Sequence, residues 1–593
     1  MSKIAQIEQL LREGIAFQQN SESQSALRKY DEVLALAPGQ IDALYFKSLI
    51  LMAQSDWEKA GELLQQAVAT DNPHVPLSTR RRCHTALGSV YQQKDKLEEA
   101  EMHFRKALTF DAPTADRWID LAQCLIDAGK MSEAAESVAQ ANRMDSNHIR
   151  VLSANAEIAW RSWQVEDCLR YLQEAVQVEP TNLDLVSQYL FTLNYLDDTG
   201  EHNAAAEHTM IGKVLQEYYR ANISDTPVPH QDHTTLHIGF LSPDLKLHSV
   251  AYFLIALLEG LKTQDNVNTY CYSTGRKTDK MTERIRSVCD HFREVNPRNL
   301  TETVASDSLD ILFDLAGHSA GNSLPTLLSA PKLAPVYINW LGYANTTGFP
   351  LFDYRLVDRM TDPVADQADP VAEQLLYLDP TFLCYAPPAD APDINRLPAL
   401  ESPFLTFGCM NNLNKVTPTM LDTWVELLLL DARYRLLFKS PMLRQISVCE
   451  RLKAPFLAAG IDPERLILLD RTEDTRSHLA VYHRIDLSLD TFPYNGTTTT
   501  LESLYMGCPV VTLCGSSHRS RVSASLLDTL GCPQWIAQTK AEYLDLIRAS
   551  TQNLAGLQET RISLRNELLA SKLCDSEAFA SEFMARCRLV TNR

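Results

Sequence analysis

Two patterns that would assign chemistry directly are missing from this chain. Its 13 cysteines are scattered and never spaced as C-x-x-C, so they predict reduced thiols rather than a disulfide framework or a zinc site. An Asp-x-Asp motif is also missing, and no cluster has the spacing of metal ligands. We therefore expect no metal cofactor.

Long apolar runs and an excess of positive charge are missing as well. No stretch approaches the roughly 18 uninterrupted apolar residues of a membrane span. The segment 1–14 has charges before any apolar core can form, so it predicts an amphipathic helix rather than a secretory signal, and we expect a cytoplasmic protein. A formal net charge of −20 disfavours nucleic acid and anionic membrane as partners. Any phosphate-bearing ligand therefore needs a local site.

The first third of the chain carries a helical repeat. Small residues recur 34 or 40 positions apart, each within an apolar pattern of helical period: Ala26, Ala60, Ala100, Ala134 and Cys168. The copy from Ala86 to Pro113 resembles the tetratricopeptide repeat, in which two helices are joined by a tight turn. Stacked repeats leave a concave groove that suits an extended peptide. We expect a superhelix over 1–182 that binds protein or peptide acceptors, and through which the chain can oligomerise.

Two series of short apolar strands follow a predicted transition region of helices and polar linker over 183–235. Helical patterns separate the strands, which is the sequence form of a doubly wound parallel sheet. The predicted strands are 236–242, 268–273, 310–315 and 335–340 in a first lobe over 236–384, and 404–409, 434–439, 466–470, 485–490 and 509–513 in a second lobe over 404–593, with a proline-rich linker over 385–403. The fold class is α + α/β, and we expect a ligand cleft between the lobes, at the carboxyl ends of the strands.

A phosphate-binding turn is predicted between a strand and a helix of the second lobe. The segment from Asp490 to Glu502 contains one glycine and four consecutive threonines. The first turn of a helix has unpaired N–H groups and the positive end of the helix dipole, and both favour an anion. The segment lacks the P-loop and G-x-G-x-x-G patterns, so the diphosphate of another donor fits better. An ordinary helix start is the alternative.

Four further side chains lie at or after the ends of predicted strands and are candidates for the chemistry. Lys415 follows the first strand of the second lobe, where a cation would offset the charge that develops on a departing diphosphate. In the first lobe, His248 follows one strand, Asp314 lies near the end of another, and His318 follows that strand. Both histidines could face the cleft, where histidine can bind sugar hydroxyls or take a proton. The alternatives are a surface lysine and histidines that are structural or merely exposed.

In the order of these motifs, the chain resembles the protein O-glycosyltransferases in which tetratricopeptide repeats precede a two-lobed catalytic region, the group of O-GlcNAc transferase and SPINDLY. The likeness covers nearly the whole chain. It depends on Ser242-Pro-Asp-x-x-x-His248, Asp314-x-x-Gly-His318, Ala334-Pro-Val-x-x-x-Trp340-x-Gly-Tyr343, Asn411-Asn-Leu-x-Lys415, and Asp490 to Glu502 followed by Gly507-x-Pro509-x-Val-Thr512. The resemblance implies a GT-B region of two Rossmann-like lobes with a nucleotide-sugar substrate.

The resemblance also implies roles for single residues. His248 would lie beside the sugar and the acceptor, and Lys415 would contact the diphosphate. His478 would pack on the nucleotide base. The other implied donor-binding positions are Asn412, Thr497, Thr498, Thr499, Glu502 and Arg521, and Glu473 is a further donor-binding candidate from its chemistry.

Departures from the family pattern leave the donor open. O-GlcNAc transferases usually carry glutamine at the position of Asn412 and histidine at the position of Thr497. The threonine-rich segment and Gly317-His318 look more like the SPINDLY branch, whose plant members transfer fucose from GDP-fucose. Glu473 could accept hydrogen bonds from the edge of a guanine. UDP-GlcNAc and GDP-fucose are both candidate donors.

The sequence thus predicts an inverting, metal-independent glycosyltransferase that moves one sugar to Ser or Thr hydroxyls of proteins. Lys415 with Thr497 to Thr499 would hold the diphosphate, and His248 with Asp314 or His318 would orient or deprotonate the acceptor. One alternative is a repeat scaffold whose transferase region is inactive. Another is a protein N-glucosyltransferase that acts on asparagine side chains.

Overall fold

The computed structural model describes residues 2–70, 75–197, 203–221, 223, 234–364 and 371–592. The chain divides into two compact units, one of 1–161 with 170–179 and the other of 162–169 with 180–593. Most of the predicted linker before the first lobe, residues 224–233, lies outside the described residues.

The first unit is built from paired helices, as the repeat predicts. They are α1 (Lys3–Gln19), α2 (Ser23–Leu36), α3 (Ile41–Ala53), α4 (Trp57–Ala69), α5 (Leu77–Gln93), α6 (Leu97–Ala107), α7 (Ala115–Asp127), α8 (Met131–Met144) and α9 (Ile149–Arg161), followed by α10 (Val165–Val178), whose first turn belongs to the second unit. The repeated small residues Ala26, Ala60, Ala100, Ala134 and Cys168 all lie on the second helix of a pair and are buried. A Cβ at Gly88 would lie 2.9 Å from the Phe104 ring, so glycine permits the close approach of α5 and α6.

The helices predicted as a transition region belong to the second unit and pack on its first lobe. They are α11 (Leu183–Leu193) and α12 (Ala204–Arg220). A Cβ at Gly212 would lie 2.2 Å from the carbonyl oxygen of Gly348, so α12 lies directly on the loop that contains Gly348. On the same loop, Tyr343 Oη accepts a hydrogen bond from Asn194 at 2.9 Å, just after α11.

The described residues of the first lobe form a seven-stranded parallel sheet of order β3-β2-β1-β4-β5-β6-β7. Its elements are β1 (Leu236–Ser242), α13 (Ser249–Leu261), β2 (Val267–Ser273), α14 (Lys280–Val288), β3 (His291–Glu294), α15 (Leu300–Ser306), β4 (Ile311–Asp314), α16 (Leu324–Leu328), β5 (Val336–Asn339), β6 (Tyr354–Val357) and β7 (Gln374–Tyr377). β1 lies between β2 and β4, with Ile238 opposite Ile311 in the register.

The second lobe repeats this topology in its described residues, as a six-stranded parallel sheet of order β10-β9-β8-β11-β12-β13. Its elements are β8 (Leu405–Cys409), α17 (Pro418–Leu430), β9 (Tyr434–Lys439), α18 (Ile446–Ala458), β10 (Leu466–Leu469), α19 (Thr475–Ala480), β11 (Leu487–Leu489), α20 (Thr498–Tyr505), β12 (Val510–Leu513), α21 (Val522–Thr529), β13 (Ile536–Ala537), α22 (Lys540–Gln552) and α23 (Leu554–Ala570). In both sheets the winding direction reverses beside the first strand, which is the doubly wound arrangement.

The last helix, α24 (Ser576–Val590), returns to the first lobe. Phe583 packs against the rings of Phe313 and Trp340, with centroids 5.0 and 5.8 Å apart. The predicted second lobe over 404–593 is therefore wrong at its end, because an apolar helix at the end of the chain covers the other sheet. The returning connection lies beside the outgoing one, since the backbone N–H of Tyr385 donates to the carbonyl oxygen of Leu573 at 2.6 Å.

Candidate active site

The predicted site residues collect at one position in each sheet. In the second sheet, β8 and β11 are neighbours, and the chain winds away from this pair in opposite directions. Ligands of open α/β sheets bind at such a switch point, outside the carboxyl ends of the strands. Asn411 and Lys415 follow β8, and Asp490 follows β11. The equivalent pair in the first sheet is β1 and β4, which His248 and Asp314 follow or end.

Asp490 fixes the turn between β11 and α20. The residue is buried, and its Oδ1 accepts hydrogen bonds from the backbone N–H of Gly496 at 2.7 Å and from Asn411 Nδ2 at 3.1 Å. Its Oδ2 accepts from Thr512 Oγ1 at 2.7 Å. One carboxylate therefore ties the turn to both strands that flank β11. From the sequence, Asp490 was named only as part of a motif. An acidic residue directly after an apolar strand could have indicated that it shapes this turn.

The beginning of α20 packs closely on this turn. A Cβ at Gly496 would lie 2.6 Å from Thr499 Oγ1 and from Thr500 Oγ1, so a side chain does not fit there. Thr499 Oγ1 donates to Asn411 Oδ1, and Thr500 Oγ1 lies 2.8 Å from Ser523 Oγ. Thr499 therefore uses its hydroxyl to hold the turn, whereas the sequence predicted that it would bind phosphate.

Thr498 differs from its neighbours. Its Oγ1 is buried and has no hydrogen-bond partner among the residues that the structure describes. Thr497 is the N-cap residue of α20 and makes no side-chain capping bond. The first N–H groups of a helix have no partner within the helix, and buried polar groups in folded proteins are normally paired. The turn thus combines N–H and hydroxyl donors that an anion would satisfy.

Lys415 lies against the same turn. Its Nζ donates to the carbonyl oxygen of Asn495 at 2.7 Å and sits 3.7 Å from the centre of the Tyr494 ring. Burial lowers the pKa of Lys415 to about 8, and the Asp490 carboxylate opposes that shift. Near neutral pH the side chain is an ammonium beside the start of α20. Lys415 thus contacts the segment just before the four threonines, at Asn495 and Tyr494.

A second group of donor-site candidates forms a hydrogen-bonded chain. Lys439 Nζ lies 2.7 Å from His478 Nδ1, and His478 Nε2 lies 3.0 Å from Glu502 Oε2. An ammonium only donates, so Nδ1 accepts and the imidazole donates through Nε2 to the carboxylate. The predicted residues His478 and Glu502 are therefore brought together. Sequence reasoning missed Lys439, although it ends a buried strand of the same sheet.

Three residues predicted to bind the sugar donor belong to neither of these two groups. Asn412 is exposed, and its side chain accepts from the backbone N–H of Asn414 at 3.1 Å. Glu473 is exposed and precedes α19. Arg521 donates through Nε to the carbonyl oxygen of Gly515 at 2.7 Å, which holds the loop after β12.

His248 is the accessible one of the two predicted histidines. It is the N-cap residue of α13 and its side chain is 43% exposed. Nδ1 accepts from the backbone N–H of Val250 at 3.4 Å and lies 3.6 Å from an oxygen of Asp244. Desolvation lowers the pKa of His248, and the Asp244 carboxylate opposes that shift. While Nδ1 accepts this bond, Nε2 carries the ring proton, so the ring presents a donor to a ligand and can take up a proton only at Nδ1.

His318 and Asp314 do not face a cleft, so this prediction is wrong. His318 is 2% exposed, and its ring nitrogens lie 3.0 Å from Ser187 Oγ and 2.7 Å from the carbonyl oxygen of Thr347. Burial lowers the pKa of His318 to about 4. Ser187 lies on α11, so a helix from outside the lobe covers this histidine, and nothing within the lobe's own sequence pattern could show that.

Asp314 is equally enclosed, at 1% exposure. Its carboxylate accepts from the backbone N–H of Gly317 at 2.7 Å and from Asn339 Nδ2 at 3.0 Å. Burial raises the pKa of Asp314 to about 6. The side chain holds the turn after β4, much as Asp490 holds the turn after β11.

The two lobes of this unit are also joined by charged and polar contacts. His518 Nδ1 lies 2.6 Å from Asp362 Oδ2, and Ser525 Oγ donates to Asp358 Oδ2 at 2.6 Å. The Asp residues follow β6 in the first lobe, and their partners follow β12 in the second. These contacts hold the carboxyl edges of the two sheets in one relative position.

Neither a membrane-spanning helix nor a metal-binding cluster is present in the described part of the chain. None of its helices combines the length and the apolar character that crossing a bilayer requires. No three His, Cys, Asp or Glu side chains there are grouped so that they could hold a metal ion.

Comparison with known families matches this architecture. The model of glycosyl transferase family 41 matches residues 184–386 and 397–583, and tetratricopeptide repeat models match 11–75 and 82–114. The family match covers more than half of the chain and contains both sheets. The chain therefore belongs to glycosyl transferase family 41, and its N-terminal unit is an array of tetratricopeptide repeats.

Curated relatives include SPINDLY of Oryza sativa subsp. japonica, named as a probable UDP-N-acetylglucosamine–peptide N-acetylglucosaminyltransferase. It is 34% identical over 414 residues, which cover 69% of this chain and 44% of the rice protein. SEC of Arabidopsis thaliana, named for the same activity, is 26% identical over 352 residues, which cover 57% of this chain and 35% of that protein. The chain thus spans less than half the length of these relatives.

Among solved structures, a mutant of the O-GlcNAc transferase of Thermobaculum terrenum is similar to this chain along its whole length. The TM-score is 0.68 at 26% identity, and the match covers 100% of this chain and 99% of that one. The predicted arrangement of helical repeats followed by two Rossmann-like lobes of the GT-B class is confirmed.

Proposed function

We propose that this chain is an inverting, metal-independent glycosyltransferase that moves a single sugar from a nucleotide diphosphate to Ser or Thr hydroxyls of proteins. One observation carries the proposal: three kinds of donor adjoin one turn at the switch point of the second sheet. They are the ammonium of Lys415, the hydroxyl of Thr498, which has no partner among the described residues, and the first-turn N–H groups of α20. All three are donors suited to a diphosphate. Family membership supports the same reaction class.

In the proposed reaction, the acceptor oxygen attacks the anomeric carbon of the sugar while the bond from that carbon to the phosphate oxygen breaks. The hydroxyl proton passes to a base, and the nucleoside diphosphate leaves with the bonding electrons. Lys415 and the start of α20 stabilise the charge that grows on the leaving group, because they are already in place before the bond breaks. A single displacement inverts the anomeric configuration.

His248 is our candidate for the acceptor side. Of the three first-lobe residues predicted for this task, it is the accessible one, whereas Asp314 and His318 are enclosed. Proton transfer by a positioned histidine contributes about 10² to 10⁴ in rate. The side chains of His478 and Glu502 are proposed to bind the nucleoside. The repeats are proposed to bind the protein acceptor and to form the contacts of an oligomer.

Two donors are proposed. The names of the relatives support UDP-GlcNAc. The motifs shared with the SPINDLY branch, among them Thr497 in place of histidine, support GDP-fucose. Melting curves with UDP and with GDP show which nucleotide the protein binds, because a ligand that binds only the folded state raises the melting temperature.

The function itself is tested by incubating the purified full chain with UDP-GlcNAc or GDP-fucose and a mixture of Ser- and Thr-containing proteins, with and without a chelator. Mass spectrometry of the acceptors identifies the sugar and the modified side chain, and NMR of a product glycopeptide gives the anomeric configuration. Modification of asparagine would support the N-glucosyltransferase instead. Binding of a nucleotide without transfer to any acceptor would support the inactive scaffold.

A further inference from the structure

We propose that Tyr494 is a positioning residue that holds Lys415 in its charged, ligand-facing state through the face of its ring. The inference rests on the proposed function, in which Lys415 contacts the diphosphate. Tyr494 belongs to the segment between β11 and α20, and its ring centre lies 3.7 Å from Lys415 Nζ. The face of an aromatic ring attracts a cation, and it does so more strongly where the two groups are shielded from water.

The contacts of Lys415 show why the ring matters. The ammonium has three N–H groups, and one donates to the carbonyl oxygen of Asn495 at 2.7 Å. The Tyr494 ring covers a second side of the ammonium, so the carbonyl and the ring together restrict where the remaining N–H can point. Burial without such partners would favour the neutral amine.

The charged and titratable groups that the structure places around this pair are Asp490, Cys409, Arg519, Tyr195 and Tyr343. Asp490 and Cys409 act on Lys415, and both favour its charged form. Arg519 acts on Tyr494 and favours a deprotonated phenol. Burial nevertheless raises the pKa of Tyr494 to about 12, so the ring remains a neutral phenol throughout the titration of Lys415. The interaction is therefore that of a cation with a neutral ring, not an ion pair.

Tyr494 is itself held by a second ring. Tyr195, which follows α11, packs on Tyr494 with a centroid distance of 5.0 Å. Both rings are large enough to restrict each other, and aromatic pairs of this separation are mutually favourable. The orientation of the ring face toward Lys415 is thus set from outside the second lobe, by a residue just after α11, the helix that also encloses His318.

The test compares Tyr494→Leu, Tyr494→Met and Tyr494→Phe in the full chain. Leucine and methionine keep an apolar side chain but remove the ring, whereas phenylalanine keeps the ring and removes only the hydroxyl. Competitive acetylation of Lys415 by acetic anhydride over a range of pH, followed by mass spectrometry, gives the pKa of this amine without any need for turnover. Thermal melting identifies any variant that does not fold.

We expect the pKa of Lys415 to fall by about one unit in the leucine and methionine variants and to stay unchanged in the phenylalanine variant. The pH above which UDP or GDP binding weakens should move down by the same amount. An unchanged pKa in a folded leucine or methionine variant would overturn the proposal, as would a phenylalanine variant that behaves like leucine. If the native protein transfers no sugar from either donor, the proposed function fails, and the acetylation result still decides the role of Tyr494.

Discussion

The two sheets of the second unit share one strand order but differ in what they present at their carboxyl edges. In the second lobe, the edge at β8 and β11 carries an ammonium, the start of a helix, and a hydroxyl for which the described part of the chain offers no partner. In the first lobe, the residues Asp314 and His318 at the equivalent edge are enclosed and hydrogen-bonded within the protein. Equal topology therefore does not give equal chemistry.

The difference follows from what covers each edge. Helix α11 places Ser187 on His318, and the loop after β5 closes over the same ring through Thr347. At the second edge, the side chains of Asp490 and Asn411 shape the turn. Lys415, Thr498 and the first N–H groups of α20 can still donate to a ligand. A leaving group that gains charge needs fixed donors, so a rigid turn on the donor side is the physically expected arrangement.

The strongest test of this comparison is Lys415→Ala. Removing one preorganised donor from a developing charge costs about 10² to 10³ in turnover. We expect this loss in a protein that still folds, although the lost contacts with Asn495 and the Tyr494 ring should lower its melting temperature. Single-turnover assays with excess enzyme give the rate. A rate near that of the native protein would remove Lys415 from the mechanism.

The next test separates the accessible histidine from the enclosed one. His248→Ala should lower turnover by about 10² while leaving stability almost unchanged, since the side chain is 43% exposed. His318→Ala should instead destabilise the fold by about 1 to 3 kcal/mol, because the partners of its ring nitrogens lose their hydrogen bonds. Urea unfolding and turnover per folded molecule are measured for both. Equal losses of turnover would contradict the assignment.

Asp490→Asn tests whether the turn must be fixed, and Asp486→Asn is its matched control on the same segment. Asp486 is also buried and accepts from the backbone N–H groups of Thr406 and Ala399 at 2.9 and 2.8 Å, but it precedes β11. Each change should cost about 1 to 3 kcal/mol in urea unfolding. Only Asp490→Asn should also weaken the binding of UDP or GDP, by about tenfold in calorimetry. Equal affinities in the two variants would contradict the proposed role of the turn.

The smallest expected effect distinguishes neighbouring threonines. Thr498→Ala removes a hydroxyl that has no partner within the described residues, so stability should not fall, but nucleotide affinity should drop about threefold to tenfold. Thr500→Ala breaks the contact with Ser523 Oγ and should destabilise the protein by about 1 kcal/mol. The opposite pattern would show that Thr498 has a structural role.

Much of the fold could be predicted from apolar periodicity. Strands β1 and β9 have the predicted bounds, because they are long and mostly apolar. Strands β3, β6 and β7 were missed, because each has only four residues and includes at least one polar side chain, which gives no clear pattern. The two residues of β13 give even less.

Part of the candidate site could likewise be predicted from the sequence, and part could not. Lys415 and the threonine turn could be predicted, because both depend on local order along the chain, a strand followed by a helix start. The enclosure of His318 could not, because Ser187 is 131 positions away in sequence. The roles of Asn411 and Lys439 also required the structure, since each depends on a partner from another strand or helix.

The bond between Tyr385 and Leu573 has a mechanical consequence. The polypeptide passes from one lobe to the other and back, and both passages run through this one place. Two neighbouring connections allow the lobes to rotate about the line that joins them, but they resist a twist of one lobe against the other. Any opening that admits a donor should therefore be a hinge rotation of one lobe about this place, and it should strain the contacts of His518 and Ser525 between the lobes.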